Sequence, residues 1–197
     1  LNQAAHPADE TIWQRFRTGD RAALEALARR FYRPLLHYGT RFTADEELIK
    51  DSIQELFLTL WQQRGSLGET GSVKLYLFKA LRHRLFKEFK RQDLFRHDWT
   101  DEELPDEAEE PPFIRQEQAT HDQAQLHRLL TGLTDRQREM LYLRYYENLS
   151  NEAIAQLMGI NRQSVANALH RALEKLRENW VVLVGLWLLG GCAYFTA

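Results

Sequence analysis

The sequence predicts an all-α protein of two small helical domains joined by a flexible acidic linker. Three observations carry that prediction. Apolar residues recur at helical spacing along almost the whole chain, and no convincing run alternates with the period of a strand. Asp98 to Pro112 holds eight acidic residues, three prolines and no basic residue, too little apolar surface to offset chain entropy. Cap and turn signals at Thr134 and Gly159 place further helices beyond that acidic stretch. The hydrophobic fraction of 44% and charged fraction of 27% are those of a globular protein.

In chain order, a first helix is expected from Glu10 to Arg17, ending at Gly19. A second begins near Asp20 and gathers Leu24, Leu27, Phe31, Leu35 and Leu36 on one face. Pro34 should kink it, since proline removes a donor and clashes with the preceding turn. Thr43 and Glu46 have capping-box spacing and open a third helix, whose apolar stripe is Ile49, Ile53, Leu56, Phe57 and Leu60. Asp51, Gln54, Glu55, Leu58 and Gln62 fall on another face. Arg64 to Ser72 holds three glycines and is expected to be a loop. A fourth helix runs from Val73 to about Phe95, burying Val73, Leu77, Leu81 and Leu85. Its opposite side shows Lys79, Arg82, His83, Lys87, Lys90 and Arg91.

The second domain starts near Ala124. Thr134 and Gln137 repeat the capping-box spacing and open a helix to about Glu147. A short helix follows from Asn151 to Met158, then a turn at Gly159, then a helix from Arg162 to about Trp180. Glycine at 159 suits a left-handed turn, Ala155 permits close approach, and Asn161 can cap the last helix. Ile154, Met158, Ile160, Val165 and Ala168 form the shared core. Arg162, Gln163, Ala166, Asn167, His170 and Arg171 then point outward, the layout of a helix that enters a major groove. Arg162 could donate to guanine, and Gln163 or Asn167 could pair with adenine. His170 and Arg171 are better placed for phosphates. The competing reading is a helical hairpin that only packs. The donor-rich face, and the lack of an acid on the first two turns of the last helix, favour DNA.

A formal charge of −2 looks poor for such a role, but the charge is segregated: a basic run from Lys79 to Arg96 directly precedes the acidic one. The only cysteine, Cys192, excludes an internal disulfide and a Cys-cluster zinc site. No metal or other cofactor is expected. No basic-then-apolar segment opens the sequence, so no secretory signal is visible.

The segment DSIQELFLTLW, Asp51 to Trp61, resembles region 2.2 of the extracytoplasmic-function (group IV) sigma factors of the sigma-70 family. Val73 to Arg84 (VKLYLFKALRHR) resembles regions 2.3 and 2.4. Leu133 to Arg138, through to the run from Asn161 to Leu173, resembles region 4. These motifs cover most of residues 9–96 and 124–178, in the family's order. The resemblance implies a sigma2-like bundle at 9–96, a linker at 97–123, a sigma4-like helix-turn-helix domain at 124–180 and an apolar tail at 181–197. It implies that Asp51, Gln54, Glu55 and Leu58 bind core RNA polymerase at the β′ coiled coil, with the β flap as a second contact. A solvated helix face is the alternative for these four, although Leu58 among polar residues is a typical contact feature.

The resemblance further assigns recognition of an unwound promoter −10 element to Arg64, Leu67, Tyr76, Lys79, Arg82, His83 and Lys87. A flipped base needs a pocket and stacking partners, and the strand needs cations. Tyr76, Phe78 and Phe86 are candidate stacking groups, with core packing the commoner fate of such aromatics. A merely solubilising surface is the alternative for the basic strip. The −35 element then falls to Arg162, Gln163, Ala166, Asn167, His170 and Arg171. The acidic linker would thread through polymerase, or serve only as a spacer. A membrane-bound anti-sigma factor and a cytoplasmic location, held at the inner membrane by that factor, are also implied.

Two other functions compete. One is a polymerase-independent helix-turn-helix regulator, which would bind duplex DNA tightly without core enzyme. The other is a carboxylate or metal enzyme built on Asp45, Glu46, Glu47, Asp51 and Glu55. Acids at a helix start favour the helix dipole in any case, and no histidine lies at i+3 or i+4 from Glu55. A non-enzymatic reading is therefore preferred.

The 17 residues from Val181 to Ala197 carry no charge. As a helix they would span about 25 Å, short of a ~30 Å hydrocarbon core. Lys175 and Arg177 precede them, and Trp180 and Tyr194 lie near their ends, as membrane flanks would. Packing on the second domain or against a partner is the alternative, since an apolar patch of this size calls for cover. Membrane fractionation of the full chain beside one ending at Trp180 separates the two. Identical fractionation is expected, and retention of only the full chain by the membrane would establish an anchor.

Overall fold

A left-handed glycine and an aspartate set the first helix junction. In a computed structural model, residues 7–91 and 132–193 are described, 7–8 and 178–193 through their helical backbone alone. The acidic stretch Asp98 to Pro112, the expected helix end near Phe95, the domain start near Ala124 and the last four residues lie outside the described residues. The chain divides into two units, Leu1–Glu102 and Glu103–Ala197.

In the first unit, α1 (Pro7–Arg17) begins three residues earlier than expected, with proline at its first position, where the missing N–H costs nothing. It buries Trp13 and Phe16. Gly19 (φ +93°) turns the chain. Asp20 then caps α2 (Arg21–Gly39) by accepting from the amides of Ala22 and Ala23. Arg15 hydrogen-bonds the same carboxylate at 2.8 Å and, ahead of those two amides, holds its pKa below the usual range.

Helix α2 buries Ala23, Leu27, Phe31, Leu35, Tyr38 and Gly39. Leu24 and Leu36, expected on the same stripe, are half-buried. The helix runs on past Pro34, whose missing donor falls opposite Arg30 on an exposed turn.

The expected capping box at Thr43 and Glu46 is not what starts α3 (Glu46–Gln63). Asp45 is the cap, accepting from the Leu48 amide at 3.0 Å, while the Thr43 hydroxyl accepts from the Asp45 amide. A carboxylate is the stronger acceptor, and it lies at the required distance from the first free amides. Helix α3 buries Ile49, Ser52, Ile53, Leu56 and Leu60. Phe57, expected in the core, is only half-buried. A single 3-10 turn (Arg64–Ser66) begins the glycine-bearing loop.

Helix α4 (Val73–Arg91) buries Val73, Leu77, Phe78, Leu81, Leu85 and Phe89. The Phe78 ring stacks on Tyr38 of α2 at 4.9 Å, and Phe42 meets both Tyr38 and Phe86 edge-on. Phe78 is thus core, and Phe86 is half-buried. Arg84 ties α4 to α3 by pairing with Glu55 and donating to the Thr59 hydroxyl at 2.9 Å.

In the second unit the Thr134–Gln137 capping box is complete and opens α5 (Asp135–Leu141). The expected continuation to Glu147 widens into a π-helical turn (Tyr142–Tyr146). There the Tyr142 hydroxyl donates to buried Glu147 at 2.7 Å. Ser150 caps α6 (Asn151–Met158), Gly159 (φ +71°) makes the turn, and the Asn161 side chain accepts from the Ser164 amide at 2.7 Å. Helix α7 (Arg162–Ala193) extends thirteen residues past its expected end at Trp180. Its glycines each cost about 1 kcal/mol of helix propensity, which weakens a helix without ending it. Leu133, Met140, Leu143, Ile154, Met158, Val165, Ala168 and Ala172 form the core, and Ile160 is half-buried.

Helices α2 and α3 approach closely at Gly39, where an added Cβ would lie 2.3 Å from Cγ2 of Ile49. Gly39→Ala gains up to about 1 kcal/mol of helix propensity, but overpacking costs about 1–3 kcal/mol. Net destabilisation is expected in denaturant unfolding, partly restored by adding Ile49→Val. Unchanged or higher stability would mean the α2–α3 crossing has room to spare.

Candidate nucleic-acid interface

The capped turn before α7 fixes which of its side chains face solvent. Val165, Ala168, Leu169 and Ala172 are buried, leaving Arg162, Gln163, Asn167, His170 and Arg171 exposed and Ala166 half-buried. The exposed donors are already arranged. Gln163 donates through Nε2 to Oδ1 of Asn167 at 2.9 Å, so the two amides form one unit on adjacent turns. His170 lies 3.3 Å from Glu174. Arg162 meets Glu152 of α6, Nε to Oε1, at 2.7 Å. The Glu152 carboxyl titrates below its usual range, first through a hydrogen bond from its own backbone N–H. The Ser150 hydroxyl and the charges of Arg162 and Arg144 add to that shift. Inspecting α7 alone misses this acid, because it sits ten residues back, across the turn.

A second polar surface lies on the first unit. Lys79, His83 and Lys87 are exposed at successive helical turns of α4. Arg82 is half-buried, its guanidinium 4.4 Å above the Phe86 ring. Arg64 is likewise engaged, stacked 4.4 Å over Trp61 and donating to the Trp61 carbonyl at 2.7 Å. The loop that follows is held from α1: Arg17 donates to the Leu67 carbonyl at 2.6 Å, and the Trp13 indole N–H to the Gly68 carbonyl at 3.1 Å. Tyr76, partly exposed, packs on Trp13 with ring centres 5.2 Å apart. Sequence reasoning missed Trp13 and Arg17, since no local spacing links residues fifty or more positions apart. Gly65, Gly68 and Gly71 have no neighbour within 4 Å of an added Cβ, so open space lies beside this loop.

On α3, Asp51, Gln54, Glu55 and Leu58 are all exposed. Asp51, Gln54 and Leu58 line a groove of about 590 Å³ between α2 and α3, with Leu24, Tyr32, Phe57 and Trp61 on its apolar side and Glu47 and Lys50 among its polar groups. Leu58 is 52% exposed, a large apolar side chain open to solvent. Glu55 is turned instead towards Arg84. Of the acids considered for catalysis, Asp45 is a helix cap and Glu46 and Glu47 pair with Lys50. No group of three metal-ligating side chains occurs among the described residues.

Two helical units, one of which ends in a helix-turn-helix with a donor-rich outer face, define a DNA-binding transcription protein. Known proteins narrow that class. The sigma-70 region 2 model matches residues 27–95 and the sigma-70 region 4 model residues 123–176, together well over half of the chain. The RNA polymerase sigma factor YlaC of Bacillus subtilis is 28% identical over 162 residues, covering 81% of this chain and 92% of that protein. The sigma-E factor of Streptomyces coelicolor is 37% identical over 81 residues, 41% of this chain and 46% of that one.

Among solved structures, CnrH superposes with a TM-score of 0.61 at 18% identity, over 89% of this chain and 98% of that one. RpoE of Bartonella quintana gives 0.57 at 18% identity, over 80% and 96%. The chain belongs to the sigma-70 family, in its extracytoplasmic-function group, and is a sigma factor that directs transcription initiation by RNA polymerase. Members of this family are not enzymes. No helix among the described residues is long and apolar enough to cross a membrane.

Trp13→Phe keeps an aromatic ring but deletes the N–H that bonds Gly68 and part of the buried indole. A net loss of more than about 1 kcal/mol is expected, the lost bond and the small cavity together, with the largest rise in amide hydrogen exchange at residues 65–71. Unchanged exchange there would show that the α1 contacts do not order the loop.

Proposed function

We propose that the two units divide promoter reading between them. The C-terminal unit, with domain bounds 124–180, reads the duplex −35 element through Arg162, Gln163, Asn167 and the Ala166 surface, and His170 and Arg171 meet phosphates. The N-terminal unit, 9–96, takes the melted −10 strand along Lys79, His83 and Lys87 into the space beside the clamped loop. Tyr76 and Leu67 supply stacking and apolar contact there. Arg64 and Arg82 act mainly by holding Trp61 and Phe86, since each is stacked on its ring. The observation that carries this reading is the loop itself. Its carbonyls are fixed from α1 while the space beside its glycines is left open, which suits a flipped base.

Core polymerase docks on the α3 groove through Asp51, Gln54 and Leu58, with Glu55 positioned by Arg84. Residues 97–123 connect the two units, and the chain acts as a non-catalytic, cytoplasmic subunit. CnrH was solved in complex with the cytosolic domain of CnrY, and RpoE with the anti-sigma factor NepR. That likeness supports an anti-sigma factor as inhibitory partner here, and the exposed Leu58 groove on α3 is a surface it could cover. In this reading the partner is a membrane protein that holds the chain at the inner membrane until a signal arrives.

Run-off transcription with core polymerase on a genomic fragment library tests the scheme. The wild-type chain is expected to yield discrete promoter transcripts. Leu58→Asp should abolish them by preventing holoenzyme assembly, since truncating or charging a central apolar anchor costs about 2 kcal/mol or more, and leave the fold intact. Arg162→Ala should lower them on the order of tenfold. Absence of any promoter-specific transcript from the wild type, with tight duplex binding by the free chain, would favour a polymerase-independent regulator.

A further inference from the structure

Arg162 is the first residue of the reading helix, and Glu152 is the second residue of the helix before it. Their ion pair bridges the helix-turn-helix turn on its exposed side, with the two side chains 72% and 54% exposed. An acid in the first turn of α6 suits the helix dipole and its own backbone N–H. A surface pair of this kind adds little to folding stability, so the contact with Arg162 matters for how it places that cation. Its cost is plain: a carboxylate on the DNA-facing side repels phosphates and weakens every duplex equally.

The geometry of the contact offers a return for that cost. The Glu152 carboxylate lies against the Nε side of the guanidinium as an ion pair. The Nη1–Nη2 edge is left for a second planar acceptor pair, and O6 and N7 of guanine form such a pair in the major groove. An arginine drawn to one side by such a pair has fewer rotamers to lose when DNA arrives, so less entropy is lost on forming the bidentate contact. An unheld arginine can swing to the nearest phosphate, which adds affinity without information. Two further observations agree. Arg144 also lies within electrostatic range of Glu152, and both arginine charges favour the ionised carboxylate. The neighbouring readers Gln163 and Asn167 are pre-arranged in the same manner, by a side-chain bond of their own.

We propose that Glu152 is a positioning residue for specificity: it holds Arg162 in the orientation that reads one guanine of the −35 element, and it suppresses non-specific binding. The inference rests on the assignment of α7 to the −35 duplex.

Transcription by the reconstituted holoenzyme from a promoter library randomised across the −35 element tests it, with wild type, Arg162→Ala, Glu152→Gln and Glu152→Asp compared. The wild type should select guanine at one position by on the order of tenfold. Glu152→Gln should lose most of that preference, resembling Arg162→Ala at that position and the wild type at all others. In parallel, the free Glu152→Gln chain should bind random duplex several-fold more tightly, with a steeper dependence on salt. Glu152→Asp keeps the charge but shortens the reach, so it should lose the guanine preference without the gain in random binding.

A uniform loss across all positions, or thermal unfolding of Glu152→Gln well below the wild type, would reduce the pair to a structural contact. Retained guanine preference in Glu152→Gln overturns the proposal, as does an Arg162→Ala profile identical to the wild type. Failure of the wild type to initiate at any promoter is a different result, one that strikes the sigma assignment itself.

Discussion

Most of the first unit's apparatus depends on two carbonyl groups. The loop after α3 holds three of the chain's glycines, and ordering such a segment costs about 1–2 kcal/mol per residue in backbone entropy. Left to itself it would sample many conformations. Arg17 and Trp13 remove that freedom by donating to the carbonyls of Leu67 and Gly68. Both donors stand on α1, whose own position is set by the burial of Trp13 and Phe16 and by the Gly19–Asp20 junction. A chain of local decisions at the N-terminus therefore ends at a surface on the far side of α3 in sequence. The order in that loop comes from outside it.

The same logic explains what was legible in the sequence. The helix-turn-helix was readable because its constraints are local: Gly159 needs a left-handed backbone, Asn161 caps the next helix, and the apolar positions between them are fixed by the helical repeat. The Thr134–Gln137 box was readable for the same reason. The Thr43–Glu46 box had identical spacing and failed, because Asp45 offers a carboxylate nearer the free amides. Spacing alone does not rank two competing acceptors. Phe57 had the right period for the core, yet the groove between α2 and α3 leaves it half-buried. Period assigns a face but not how far the neighbouring helix covers it.

The candidate site shows the same division. Exposure of the α4 cations and the α7 donors follows from which residues the repeat buries. Their partners do not follow, because Arg17, Trp13, Glu152 and Arg84 act on groups ten to fifty-five residues away. This matters for roles as well as positions. Arg64 and Arg82 resemble free cations in the sequence, but each lies over an aromatic ring at 4.4 Å. A guanidinium so placed gains a cation–π contact of about 0.5–1 kcal/mol at an exposed site, and it must give that up to reach a phosphate. Lys79, His83 and Lys87 show no such ring contact, which is why the proposed strand path runs along them.

Pairing on α7 extends the argument to the whole chain. Salt-dependent DNA affinity grows with the number of phosphates neutralised, and on the helix proposed to read the −35 element Arg162 and His170 each face an acid of their own unit. A reader built this way binds weakly by itself. Weakness is tolerable when a second reader sits on the same chain, because engagement of one site turns the other into an intramolecular event with an effective concentration of roughly millimolar. Discrimination is then the product of two modest preferences, realised only where both elements are present. The formal charge of −2 fits the proposed arrangement: a strongly basic chain would bind any DNA without polymerase, and in that proposal the acids beside the readers help to prevent it.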